Sequence, residues 1–217
     1  MEAKAHRICA ICFIGIALLF SGVATNASEN EVKRRIFIAE IQKVLQTENM
    51  DLIVRSMNDI KQQNSPELLG FILDLWKEDE KKHTDLPWHI IRSSRVKTEL
   101  ANILAQGANN GLISVNREEL KLYSRKMAIT KNGGVRRTAI LTLGLLGDPD
   151  DVTLLKEIAL KEEAATFRAA VIAIAKICDR TAENALIEIR ARVADRENKS
   201  FAESPISELA PHKRCAK

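Results

Sequence analysis

The feature that most limits what this chain can fold into is an internal repeat. Shifted by 31 residues, the stretch from Arg137 to Asp148 superposes on the stretch from Arg168 to Asp179. Arg137 falls on Arg168, Ala139 on Ala170, Ile140 on Val171, Leu143 on Ile174, Leu146 on Ile177 and Asp148 on Asp179. The register runs on, with Leu155, Glu157 and Ile158 meeting Leu186, Glu188 and Ile189. Self-similarity at a fixed period of roughly 20–50 residues marks stacked units, none of which can bury its apolar face alone. No charged residue lies between Arg137 and Asp148, so the helix there must be covered on most sides. The next segment, Asp151 to Lys161, is amphipathic, with Leu154, Leu155 and Ile158 opposed to Lys156, Glu157 and Lys161.

Composition agrees with an all-α chain. Aromatic residues make up 4% of the 217, with 9 Gly and 5 Pro, too few turn and strand formers for a β-sandwich or barrel. Helices are predicted from Ser28–Asn30 to about Gln46, and from Met50 to Lys61. Ser65-Pro66-Glu67 reads as the capped start of a third, reaching Trp76. Lys77 to Asp85 is charged and reads as a loop. A continuous helix is expected from Pro87 or Trp88 to Gln106, closed by Gly107 and the Asn109-Asn110-Gly111 turn. Asn116 to Glu119 has the pattern of a capping box.

The motif Arg137-x-Ala139-x-x-x-Leu143-Gly144-x-x-Gly147-Asp148-Pro149, followed by the Val152/Leu155/Ile158 helix, resembles a HEAT repeat of the short kind found in bilin lyases. The likeness is best over residues 135–193, and rests on helix count and length alone from Glu31 to Ile129. It implies an α-solenoid of antiparallel helix pairs, a right-handed HEAT/armadillo-like superhelix over residues 28–195. It also implies binding of other macromolecules far more often than catalysis. By the same resemblance, Arg137, Arg168, Asp148 and Asp179 belong to a polar ladder between repeats.

The ends of the chain read differently. Lys4 and Arg7 precede an uncharged apolar run from Ile8 to Phe20, and small residues follow to Ala27. The run is shorter than the roughly 20 residues a membrane-spanning helix needs, so residues 1–27 read as a cleaved secretory signal. The protein is therefore expected to be exported, periplasmic or secreted, with no stable membrane span. Cys9 and Cys12 leave with the signal, and Cys178 and Cys215 remain, paired or unpaired with equal weight. Residues 196–217 read as a disordered tail.

Chemistry is sparse. Losing Lys4, Arg7 and Glu2 takes the formal charge from +4 to +3, a near balance that gives no reason to expect a nucleic-acid partner. No nucleophile elbow, phosphate loop or zinc motif is present, and no catalytic residue, cofactor or metal is proposed from the sequence. The alternative is an enzyme built on His83, Asp85 and His89, which carry suitable ligand and acid–base groups at a spacing that matches no site of derivable geometry. The favoured reading is a non-catalytic scaffold or adaptor binding another protein, or an immunity-type inhibitor of a secreted enzyme. Thr138, Thr142 and Leu145 share one helix face, and their repeat equivalents are Ala169, Ala173 and Lys176. A partner is expected to dock along Thr138, Thr142, Leu145, Ala173 and Lys176, with Arg136 at the rim.

Overall fold

The computed structural model describes residues 32–33, 35–63, 65–162 and 164–194. The chain divides into two compact units, residues 1–43 and 44–217. In the first, residues 32–33 and 35–43 are helical (α1), with Ile41 buried. The signal segment, the Ser28–Asn30 cap and the tail with Cys215 all lie outside the described residues.

The second unit is an α-solenoid, and no strand occurs among its described residues. Its helices are α2 (Met50–Gln63), α3 (Pro66–Trp76), α4 (Trp88–Ile91), α5 (Ser94–Asn109), α6 (Arg117–Ala128), α7 (Gly133–Leu146), α8 (Val152–Lys161), α9 (Ala164–Ile177) and α10 (Arg180–Ala194). The caps read from sequence are in place. Ser65 accepts from the Leu68 amide and Asn116 from that of Glu119, and the structure adds a further cap in Asn132, which accepts from the amides of Gly134 and Val135. Gly147, at φ 69°, closes α7 in the left-handed conformation that glycine adopts without strain.

One predicted helix is two. Ser93 leaves the helical region at ψ 142°, and its hydroxyl accepts from the Val96 amide, ending α4 and starting α5. A serine can cap from within an apolar pattern, which periodicity alone does not reveal. The preceding loop is ordered by charge. Glu78, at φ 55°, accepts from Lys97 and Arg92, and these cations hold its carboxyl below the usual range, Lys97 foremost. Trp76 and Trp88 are buried, the first donating to Glu119 (3.1 Å) and the second to the His83 carbonyl (3.1 Å).

The pairing phase differs from the sequence repeat by one helix. The superposition groups α7 with the α8 that follows it. In the fold α7 packs on the preceding α6, and α9 on the preceding α8, so each pair is an outer helix followed by an inner one. The inner helices α5, α7 and α9 lie side by side, while α10 packs on α8 and α9. Val135, Ala139, Ile140, Leu143, Val152, Leu155, Ala170, Ile174, Leu186 and Ile189 form the shared core.

A polar ladder between repeats exists, with different cations from those expected. Asp148 is held by Lys121 and Arg125 of α6, and Arg125 also pairs with Asp151, which is 1% exposed. Lys121 keeps the Asp148 carboxyl below its ordinary range, whereas burial pushes that of Asp151 up against the pull of Arg125. Asp179 accepts from the Ala182 amide at the start of α10 (2.7 Å). Arg137 takes no part in this ladder.

Candidate binding groove

The inner helices α5, α7 and α9 form one wall of the solenoid. A groove of about 630 Å³ opens there, within the range of about 300–1,000 Å³ usual for ligand pockets. From α7 it is lined by Gly134, Val135, Arg137, Thr138 and Leu141, and from α9 by Ala165, Arg168, Ala169 and Ile172. Each of the four from α9 lies 31 residues after a counterpart from α7, so the groove is itself a product of the repeat. Arg95 and Glu99 of α5 and Val54 of α2 extend it across a third inner helix.

Its electrostatics are set by three arginines over an aliphatic floor. Glu99 is only 8% exposed and is tied by the Lys61 ammonium (2.7 Å) and the Thr138 hydroxyl (3.0 Å). The carboxylate is thus paired within the protein, as a buried charge must be. Arg95 reaches Asp51 (2.9 Å) in a pair whose carboxylate is 79% exposed, an interaction worth about 0–1 kcal/mol. No carboxylate among the described residues pairs with Arg137.

The docking strip read from sequence does not form one surface. Thr142 and Ala173 are fully buried. The Thr142 hydroxyl donates to the Thr138 carbonyl (2.8 Å) and accepts from the Asn102 amide of α5 (3.0 Å). Ala173 faces Gly144, where an added Cβ would meet the Ala173 Cα at 2.5 Å. The small residues serve close helix packing. Leu145 is half-buried, and Lys176 is exposed at the other end of α9 from the groove. Arg136 donates to the Ala128 carbonyl (3.0 Å) and pairs with Glu162 (2.7 Å), bracing the ends of α6 and α8. Of the six, Thr138 alone lines the groove.

The groove face is offset by about one residue from the one chosen. Gly134, Arg137, Thr138 and Leu141 sit at i, i+3, i+4 and i+7, an equally good helical stripe. The signal that could have found it is the recurrence of arginine at the same place in both copies. The resemblance to HEAT repeats points that arginine to the ladder instead.

His83, Asp85 and His89 have separate surroundings. His83 lies edge-on to Phe71 and 3.5 Å from Asp74, His89 pairs with Glu48 (3.1 Å), and the Asp85 carbonyl accepts from Gln46 (3.4 Å). Among the described residues, no cluster of three or more His, Cys, Asp or Glu is placed to hold a metal. None of their helices is long and apolar enough to cross a membrane.

The family model for HEAT repeats matches residues 92–175. The match runs from the α4–α5 junction through most of α9 and so includes every groove residue except Val54. It takes in α5 and α6, where the sequence shows no arginine-to-aspartate register. No curated protein matches the chain. No solved structure matches it either.

Proposed function

We propose that the protein is an exported, non-catalytic scaffold or adaptor that holds a partner protein in the groove of its inner helices. The observation that carries this reading is the groove, whose lining recurs at the period of the repeat. Stacked repeats build extended surfaces from residues distant in sequence, and HEAT repeats commonly mediate contacts between proteins. Export rests on the signal-like residues 1–27.

Two experiments test this. A photo-crosslinker at Leu141 should trap a discrete partner from envelope extract, whereas one at Ile187, exposed on α10, should not. Equal trapping from both positions would end the groove reading. Cell fractionation with and without residues 1–27 tests export, and an unchanged cytoplasmic distribution in both forms would refute it.

A further inference from the structure

We propose that residues 200–211 of the chain itself occupy the groove in the free protein, and that a partner must displace them. The docking stands on its own; only the displacement rests on the scaffold reading. Where the chain leaves the solenoid is the first argument. Cys178 and Asp179 alone separate α9 from α10, a connection short enough to send α10 back antiparallel along α9. The Lys156–Glu188 pair (2.9 Å) sets α10 level with α8. α8 ends where α9 begins, so α10 ends beside the start of α9, where Ala165 and Arg168 line the groove. From there to Leu141 is two helix spacings, α10 to α9 and α9 to α7, about 16–20 Å in all. Residues 195–200 can span about 20 Å, which brings the segment that follows onto the groove.

Chemical complementarity is the second argument. Between Lys199 and Lys213 the chain carries Glu203 and Glu208 and no lysine or arginine, with Phe201, Ile206 and Leu209 beside them. The groove offers the matching groups. Arg137 is exposed and meets no carboxylate among the described residues, and Arg95 pairs with Asp51 in an exposed contact that exchanges easily. Either guanidinium can take a carboxylate in a charge-assisted contact. Val54, Leu141 and Ile172 are half-buried, which leaves apolar surface for the three large side chains to cover. The third argument is that the segment is not another turn of the stack. One further step of 31 residues carries the buried Leu143 and Ile174 onto Pro205, and Leu146 and Ile177 onto Glu208. Proline interrupts a helix and an unpaired carboxylate is costly in a core, so the repeat does not continue there. A segment tethered this closely faces the groove at an effective concentration on the order of 1 mM, at which weak contacts suffice.

The test is photo-crosslinking within the purified chain as the cell produces it, read by peptide mass spectrometry. A benzophenone side chain at Leu141 should join to residues 200–211, whereas one at Leu122, exposed on the outer helix α6, should not. Mixing isotope-labelled with unlabelled protein should give crosslinks within one label only. Arg137→Glu should cut the yield severalfold, as should Glu203→Lys combined with Glu208→Lys, while far-UV circular dichroism and melting stay as in the parent. Joining the three substitutions should restore the yield, a recovery that unfolding cannot mimic. Lys126→Glu, on the exposed side of α6, should change nothing. Absence of the crosslink to residues 200–211, crosslinks between differently labelled copies, equal yields from Leu141 and Leu122, or failure of the combined variant to recover would each overturn the proposal. If the Leu141 probe traps a partner from envelope extract but never the chain's own segment, the scaffold reading stands and the docking is wrong. If it joins to residues 200–211 and traps no partner even after Glu203→Lys and Glu208→Lys, the docking stands and the scaffold reading falls.

Discussion

Replacing glycine by alanine in a helix interior normally stabilises it by about 0.5–1 kcal/mol, through propensity and a less flexible unfolded chain. Two helical glycines here should respond with opposite signs. At Gly144 an added Cβ would lie 2.5 Å from the Ala173 Cα, 2.8 Å from its Cβ and 2.9 Å from its carbonyl oxygen. Two of those atoms are backbone, so no rotamer change relieves the clash and α9 must move. Overpacking of this kind costs about 1–3 kcal/mol, and a backbone collision belongs at the upper end. Subtracting the helical gain leaves Gly144→Ala destabilised by about 1–2 kcal/mol. For a chain of this length each kcal/mol shifts Tm by about 2–4 °C, so the fall should be about 2–8 °C. Gly70, inside α3, has nothing within 4 Å of its added Cβ. Gly70→Ala should therefore raise Tm by about 1–4 °C. Thermal melts followed by circular dichroism decide the matter. If Gly144→Ala melts at or above the parent temperature, α7 and α9 do not pack as described.

Thr142→Val should cost about 1–3 kcal/mol in urea unfolding, because the buried Asn102 amide loses its acceptor. Adding Asn102→Leu should return part of that loss, and a purely additive double variant would show that the contact is absent. Glu78, Asp148 and Glu188 all titrate below their ordinary values in the folded protein, so each contributes stability above its unfolded pKa that is lost as pH falls through the folded one. Asp151 is raised by burial and works the other way, its cost disappearing on protonation. The urea midpoint should therefore fall on acidification from pH 6 to pH 3, roughly the range in which carboxylates protonate, and fall less steeply in Asp148→Asn. A slope unchanged by that substitution would remove Lys121–Asp148 from the account.

Much of the fold was legible because it follows from one-dimensional rules. Period, apolar spacing and capping side chains specify helices locally, and Ser65 and Asn116 act where their spacing places them. The Ser93 break was hidden because apolar residues recur at helical spacing on both sides of it, Ile90 and Ile91 before and Val96, Leu100 and Leu104 after. The pairing phase was hidden for a deeper reason: a periodic sequence defines the length of a repeat without saying where it begins. The strip expected from sequence and the groove differ by a choice between neighbouring helix faces. Small residues such as Ala173 mark close packing and close access equally well in sequence. Only the Gly144 contact separates the two, and it joins residues on different helices.

That contact also explains why the groove lies where it does. α7 and α9 come together through Gly144 and Ala173, in the last half of each helix, and α5 and α7 are fastened by Asn102 and Thr142. The side-by-side wall is thereby closed beyond those contacts. Toward the helix starts, Leu141, Thr138 and Arg137 face Ile172, Ala169 and Arg168 across the groove. Small residues meet at the closing end, whereas Arg137, Leu141, Arg168 and Ile172 line the open one. Both ends recur with the repeat, so one 31-residue pattern encodes the closed core and the open site together. Changes that widen the Gly144 contact should for this reason alter the groove as well as the stability, without touching any residue that lines it.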